Sequence, residues 1–194
     1  ATAGSLARRS LLHSDRLFDL AFGESLNPMR HLGAIGFLLF WIAAASGIYL
    51  YIAFDTSLAG AHASIGELSA TSWAPGGVVR SLHRYASDAL VLVVALHLFR
   101  EGLRGRFRGF RRFSWVSGVP LLWLMFASGI GGHWLKWDTQ AQYSFASTLE
   151  WFDWLPLFGG ALSRNFASAD GISDRFFSLL VFLHIGIPLA LLAG

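Results

Sequence analysis

The sequence has no cysteine, and only 14% of its 194 residues are charged, whereas 54% are hydrophobic. The absence of cysteine excludes disulfides, thiolate metal sites, iron–sulfur clusters and the CxxCH attachment of covalent haem. So small a charged fraction suits lipid better than water, and we expect no nucleic-acid partner.

Long apolar stretches take the place of the missing charge. A membrane-spanning helix needs about 20 mostly apolar residues, and four segments approach that length. We expect spans A to D over residues 32–54, 79–99, 114–135 and 174–194. The sequence therefore predicts an all-α fold, an integral membrane four-helix bundle over residues 31–194, after an interfacial N-terminal segment over residues 1–30.

The arginines predict how this bundle is oriented, because basic loops stay on the cytoplasmic side. Six arginines lie in "REGLRGRFRGFRR" between spans B and C, and four more lie in residues 1–30. We therefore expect a cytoplasmic N-terminus. Residues 10–22 alternate at helical spacing, and residues 147–160 are aromatic and apolar with two tryptophans, which favour the membrane surface. Both segments predict helices that lie on the two membrane surfaces.

Span B contains two histidines, His83 and His97, fourteen positions apart. This interval is about 3.9 helical turns and about 21 Å, so both side chains share one helix face at two depths. A bis-histidine haem takes one neutral imidazole from each of two facing helices. The spacing predicts two metal-ligating histidines for two stacked haems, whereas a lone histidine would more simply bond a neighbouring helix.

Span D supplies His184 at the depth of His83, so these two residues form the best predicted pair of iron ligands. A partner for His97 is expected near position 198, and we therefore expect the chain to continue beyond residue 194. His31, on the same side of the membrane as His97, is the alternative partner.

Other residues recur at the histidine interval. Gly33 and Gly47 are fourteen apart on span A, as are Gly118 and Gly132 on span C, and glycine permits close approach of a planar group. Arg80 and Arg100 each lie three residues from a histidine, where a guanidinium could bind a haem propionate. Small residues at helix interfaces and snorkelling arginines explain the same positions without a cofactor.

The helix B pattern R-x-x-H-x13-H-x-x-R, formed by Arg80, His83, His97 and Arg100, resembles cytochrome b of the cytochrome bc complexes. The resemblance is to its haem-bearing N-terminal half and extends from about Leu17. The paired glycines and the H-x-x-x-P of His184 and Pro188 are similar too. Lys136, Asp138 and His31 replace residues that the family usually has near its quinone sites.

The resemblance implies two non-covalent b haems that carry electrons across the membrane, with quinol or quinone as substrate. It implies a subunit of a respiratory or photosynthetic complex, with an iron–sulfur protein or c-type cytochrome and possibly a separate C-terminal cytochrome b half as partners. Complexes of this family usually form dimers. The expected location is an energy-transducing membrane, above all the bacterial inner membrane.

Two other classes of function remain open on sequence. A di-haem membrane anchor that links a dehydrogenase to the quinone pool would share the four-helix bundle, but it would lack the paired glycines and the surface helices between spans C and D. A transporter or assembly subunit would need no haem at all.

Overall fold

The chain is described by a computed structural model over residues 3–70, 75–167 and 172–192, and these residues contain helices but no strand. The described part forms seven α-helices: α1 (Ala3–Phe22), α2 (Leu32–Ala53), α3 (Ala61–Ala70), α4 (Gly76–Leu103), α5 (Arg112–Trp134), α6 (Thr139–Asp153) and α7 (Asp174–Leu191). Short 3₁₀ turns at Pro28–Arg30 and Gly109–Arg111 precede α2 and α5, and a π-helical turn occupies Ser163–Ala167. The predicted all-α class is confirmed.

Each predicted span coincides with one long helix. Span A matches α2 to within one residue, and α5 begins two residues before predicted span C. Helix α4 is longer than span B at both ends, because residues 76–78 and 100–103 continue the helical hydrogen bonding beyond the apolar run. Span D matches α7, although the predicted end at residues 193–194 lies outside the described residues.

The four long helices pack in a fixed order. Helix α4 lies against α2 and against α5, and α5 also packs against α7. This order produces two helix pairs, α2 with α4 and α5 with α7, that meet along α4 and α5. Pro120 and Pro188 lie inside α5 and α7 without ending them, as neighbouring helices in a bundle permit.

Large apolar side chains cover the outside of the bundle. Phe37, Trp41, Ile48 and Ile52 on α2 are exposed, as are Trp123 and Ile130 on α5. By length and composition, Leu32–Ala53 and Gly109–Trp134 could each cross a membrane. An apolar outer surface of this extent suits lipid rather than water. The division into four spans and an N-terminal segment remains a prediction.

The end of the bundle opposite the arginine-rich connection is closed by an aromatic core. Trp137, Phe145 and Phe177 pack there with Ala61 of α3, and Trp134 packs against them. Leu58 donates its backbone N–H to the Asp174 carboxylate at 2.7 Å, which ties the segment before α3 to the start of α7. This core therefore connects the end of α2, the end of α5 and the start of α7.

Two helices at this end differ from the sequence-based expectation. Helix α3 was not expected, since its ten residues are too short and too weakly patterned to stand out. Helix α6 starts at Thr139 rather than near residue 147, because the Asp138 carboxylate accepts the Ala141 N–H at 2.7 Å and caps the helix there. The helix ends at Asp153, before Pro156.

At the other end, α1 is attached to α4 through buried polar groups. Asp15 is buried against Arg100, and the fully buried Asn27 donates to the Asp15 carbonyl at 3.1 Å and to the Asp19 carboxylate at 2.7 Å. Asp19 in turn pairs with Arg30 at 2.7 Å. These contacts orient the N-terminal helix across the end of α4.

Candidate functional site

Two of the predicted ligands face each other inside the bundle. His83 projects from α4 and His184 from α7, and their ring centroids are 6.1 Å apart with an angle of 77° between the ring planes. A metal–imidazole bond is about 2.0–2.1 Å long. Two rings as close as these are therefore positioned to hold one metal ion together.

Each of these imidazoles lies directly on a predicted glycine. A Cβ atom at Gly47 would lie 3.0 Å from Cε1 of His83, and one at Gly132 would lie 2.6 Å from Cε1 of His184. Ordinary carbon contacts are about 3.5–4.0 Å. No residue larger than glycine fits at Gly132 without displacing the ring, and Gly47 is almost as restrictive.

A backbone carbonyl determines the protonation of each ring. Nδ1 of His83 donates to the Ala43 carbonyl at 2.9 Å, and Nδ1 of His184 donates to the Ser128 carbonyl at 2.9 Å. A carbonyl can only accept, so in both neutral imidazoles the proton is on Nδ1 and the lone pair is on Nε2. Such a bond is the usual outer-shell partner of a metal-ligating histidine.

The two halves of the site repeat one construction. In each half, the acceptor carbonyl belongs to the residue four positions before the glycine that lies under the imidazole: Ala43 before Gly47, and Ser128 before Gly132. Ser46 Oγ lies 3.2 Å from Nδ1 of His83, and Ser128 Oγ lies 3.5 Å from Nδ1 of His184. Contacts of Ala43, Ser46 and Ser128 with the histidines were not predicted from the sequence. A small residue four positions before each glycine is the signal that could have found two of them.

We call the position between His83 and His184 the first level of the site, and the position around His97 the second level. The His97 ring lies over Gly33, where a Cβ would be 3.4 Å from Cε1, and it makes no hydrogen bond with the part of the chain that the structure describes. Gly118 meets Leu98 rather than a histidine, at 3.0 Å from its Cδ1. The predicted partner near position 198 lies outside the given sequence. His31 is exposed, and its Nε2 bonds the Ser25 carbonyl at 2.9 Å.

The two predicted propionate-binding arginines bond to other side chains of the protein. Arg80 donates to Ser69 Oγ at 2.7 Å. Arg100 is only 3% exposed and binds both oxygens of Asp15, at 2.9 and 3.0 Å. Nε of Arg100 is buried without an acceptor among the described residues. A buried donor without an acceptor is costly, so Arg100 can accept a further anionic partner.

The residues near the predicted quinone region have structural partners. Lys136 and Asp138 form an ion pair at 3.2 Å. The backbone N–H of Ala141, and then the Lys136 ammonium, hold the pKa of Asp138 below its ordinary value. Trp137 between them has a left-handed φ of 48° and is buried in the aromatic core. Because Asp138 caps α6, a helix begins at this point in the chain.

These observations fit a planar group held by two imidazoles. Nε2 of each facing ring has no hydrogen-bond partner in the described ranges, the glycines beneath make room for the rings themselves, and a buried guanidinium lacks one acceptor. No group of three or more histidine or acidic side chains that could hold a bare metal ion occurs in residues 3–70, 75–167 and 172–192. The donor set of two neutral imidazoles suits a haem iron.

Comparison with known proteins identifies the family. A sequence model described as Cytochrome b/b6/petB matches residues 17–193. Cytochrome b6 of Oltmannsiellopsis viridis is 30% identical over 169 residues, which are 85% of this chain and 77% of that protein. Cytochrome b6 of Porphyra purpurea is 31% identical over 162 residues, 81% of this chain and 75% of that protein.

The fold has a counterpart among solved structures. A chain of a hyperthermophilic respiratory Complex III superposes with a TM-score of 0.75 at 21% sequence identity. The match covers 85% of this chain and 45% of that one, so the present sequence spans less than half the length of that structural relative. The resemblance inferred from the helix B motif is confirmed: the chain belongs to the cytochrome b/b6 family of haem b-binding membrane proteins.

Proposed function

We propose that this chain carries electrons across a membrane as the di-haem cytochrome b subunit of a quinol-oxidising or quinone-reducing complex. The observation that carries the proposal is the facing pair His83 and His184, each ring lying on a glycine with its Nδ1 proton directed to a backbone carbonyl. When bound, haem b supplies an iron that gains and loses one electron.

The residues of the first level have distinct tasks. His83 and His184 would hold the iron through Nε2. The Ala43 and Ser128 carbonyls keep the proton on Nδ1, so that each ring is a neutral ligand of fixed orientation. Gly47 and Gly132 leave room for the two imidazole rings, which a larger residue would displace. The apolar bundle keeps water away from the iron, which favours electron transfer over side reactions.

The second level is proposed at His97, over Gly33, with Arg100 as partner of a propionate. His97 lies about 21 Å along α4 from His83, and the hydrocarbon core is about 30 Å thick. Two such levels therefore span most of the membrane. Arg80 is the proposed propionate partner at the first level.

The surroundings of α4 support partner subunits. Asp88 is exposed halfway along α4 and has no partner within the described ranges. An unpaired carboxylate in hydrocarbon is costly, so a neighbouring helix with a hydrogen-bond donor would cover it. We propose an iron–sulfur protein or c-type cytochrome, a C-terminal cytochrome b half, and a dimer of complexes as the assembly. The proposed location is a bacterial inner membrane with a cytoplasmic N-terminus.

The dehydrogenase-anchor alternative is not favoured. A family match that extends from residue 17 to residue 193 includes the surface helices between α5 and α7, which that alternative would lack. No described feature supports a transporter.

The test is a dithionite-reduced minus oxidised spectrum of the purified protein, with pyridine haemochrome quantitation per chain. Two haems per chain are expected, one of them lost in His83→Ala and in His184→Ala. His13→Ala, at an exposed position on α1, is the matched control and should keep both. One haem in the unaltered protein would contradict the level at His97, and no haem would overturn the electron-transfer proposal.

A further inference from the structure

The connection between α4 and α5, residues 104–113, contains more positive charge than the protein itself neutralises. We call this segment the arginine loop. Its first two arginines are paired: Arg104 contacts Asp15 at 3.3 Å and Glu101 at 3.7 Å, and Arg106 contacts Glu101 at 3.4 Å. These pairs attach the loop to the end of the bundle.

The other three arginines are available to a ligand. Arg108, Arg111 and Arg112 are exposed, and none has a carboxylate partner in the ranges that the structure describes. Arg108 lies 5.0 Å from the Phe107 ring centroid, a cation–π contact that leaves its charge uncompensated. Arg112 is the first residue of α5, and Arg111 is the N-cap residue before it.

Apolar surface lies directly beside these cations. Phe110 is 103% exposed and Phe113 is 81% exposed, so both rings protrude fully from the protein. An open groove of about 380 Å³ runs between them, lined by Gly109, Phe110, Arg112, Phe113 and Val116. The lining is mainly apolar but includes Arg112, which matches a ligand with an acyl chain and an anionic head.

The position of the groove indicates which kind of ligand it binds. The stretch Gly109–Trp134 is long and apolar enough to cross a membrane, and the groove lies at its first residues. Protruding aromatic rings beside arginines are typical of the boundary between headgroups and acyl chains. An acidic protein would neutralise the arginines but would leave the two protruding phenylalanine rings without an apolar partner. The lipid itself is therefore the favoured occupant.

We propose that the arginine loop is a binding site for an anionic phospholipid. Arg111 and Arg112 bind the phosphate and the additional negative charge of the headgroup, while Phe110 and Phe113 flank the first part of an acyl chain. The site is independent of the haem ligands, since it involves none of the residues around His83, His97 or His184. It selects phosphatidylglycerol-type lipids over zwitterionic lipids, because basic residues near a membrane surface attract anionic headgroups.

Native mass spectrometry of the detergent-purified, haem-loaded protein tests this. Phosphatidylglycerol and phosphatidylcholine are titrated separately, and bound lipid is counted. The unaltered protein should retain one phosphatidylglycerol more tightly than any phosphatidylcholine. Arg111→Gln/Arg112→Gln should weaken that binding roughly fivefold per arginine, about 25-fold in total. Phe110→Ser/Phe113→Ser should weaken the binding of both lipids.

The matched control is Arg9→Gln/Arg16→Gln. It removes the same charge from two exposed positions on α1, on the same predicted side of the membrane, and should leave the tight phosphatidylglycerol in place. An unchanged haem spectrum in each variant establishes that it is folded. Equal retention of the two lipids by the unaltered protein would overturn the proposal. So would equal losses in the test and control variants, or loss of a co-purifying acidic subunit with lipid binding intact.

Discussion

Replacing Gly132 by alanine adds one methyl group beneath the His184 ring and tests whether the site needs glycine there. The added Cβ would lie 2.6 Å from Cε1 of His184 and 3.0 Å from its Nδ1. Because carbon contacts need about 3.5–4.0 Å, the ring would have to move by about 1 Å. That movement also breaks the 2.9 Å bond from Nδ1 to the Ser128 carbonyl.

The expected loss of haem affinity can be calculated from the cost of overpacking the site. Inserting one methyl group into a filled site costs about 1–3 kcal/mol, which would weaken haem binding about 5- to 150-fold. The assay is the haem-to-protein ratio by pyridine haemochrome after purification, together with the absorbance of the reduced α band. Gly132→Ala should lose the haem at the level of His83 and keep the haem at the level of His97.

Gly129→Ala is the matched control. It makes the same substitution on the same helix, three residues earlier, where nothing lies within 4 Å of the new Cβ. It should keep both haems, and the higher helix propensity of alanine favours it by about 1 kcal/mol. The effect should be graded, since the Cβ contact with the ring lengthens from 2.6 Å at Gly132 to 3.0 Å at Gly47 and 3.4 Å at Gly33. Full haem content in Gly132→Ala, or equal losses in Gly129→Ala, would refute the reasoning.

Three further predictions concern other parts of the site. Asp15→Asn leaves the buried Arg100 with only the more distant Glu101, at 3.9 Å, as a charged partner. It should therefore lower the free energy of unfolding by about 3–5 kcal/mol, whereas Glu24→Gln, at an exposed position near the same end of the bundle, should have little effect. Thermal unfolding compares the two variants, and similar shifts would contradict the argument. Ser128→Ala should keep full haem content, because the backbone carbonyl rather than the hydroxyl accepts the Nδ1 proton; haem loss in this variant would show that the hydroxyl is needed. Asp138→Ala removes the cap of α6 and should cost about 1 kcal/mol near neutral pH. The pKa of Asp138 is lowered in the folded state. The carboxylate therefore stabilises the fold above the ordinary carboxyl pKa, and this stabilisation is lost as the pH falls through the folded-state pKa. The melting temperatures of the unaltered protein and Asp138→Ala should converge at acidic pH, and a constant difference would argue against the charged cap.

Much of the bundle could be read from local patterns. Runs of about 20 apolar residues marked the four long helices, and the helical period alone placed His83 and His97 on one face. His83 and His184, expected at the same depth, have ring centroids 6.1 Å apart; their role as iron ligands stays a prediction. The glycine interval of fourteen also corresponds to the structure at three of its four positions, Gly33, Gly47 and Gly132.

The exceptions share a cause. Gly118 meets Leu98 instead of a ring, α3 was not expected, and α6 begins earlier than its amphipathic pattern indicated. Periodicity reports which residues share a face, but it does not report which neighbour occupies that face. A short helix whose ends depend on a cap or on the aromatic core leaves only a weak pattern in the sequence.

The sequence by itself determined the helical bundle, the family and the histidines, because apolar runs and helical spacing are local properties of the chain. Only the tertiary structure decided that Ala43 and Ser128 orient the imidazoles, and that Arg100 pairs with Asp15 across 85 positions. Backbone carbonyls carry no signature in the residue letters, and an ion pair between distant segments exists only after α1 has packed against α4. The chemistry of the site thus depends on contacts that form when the helices assemble.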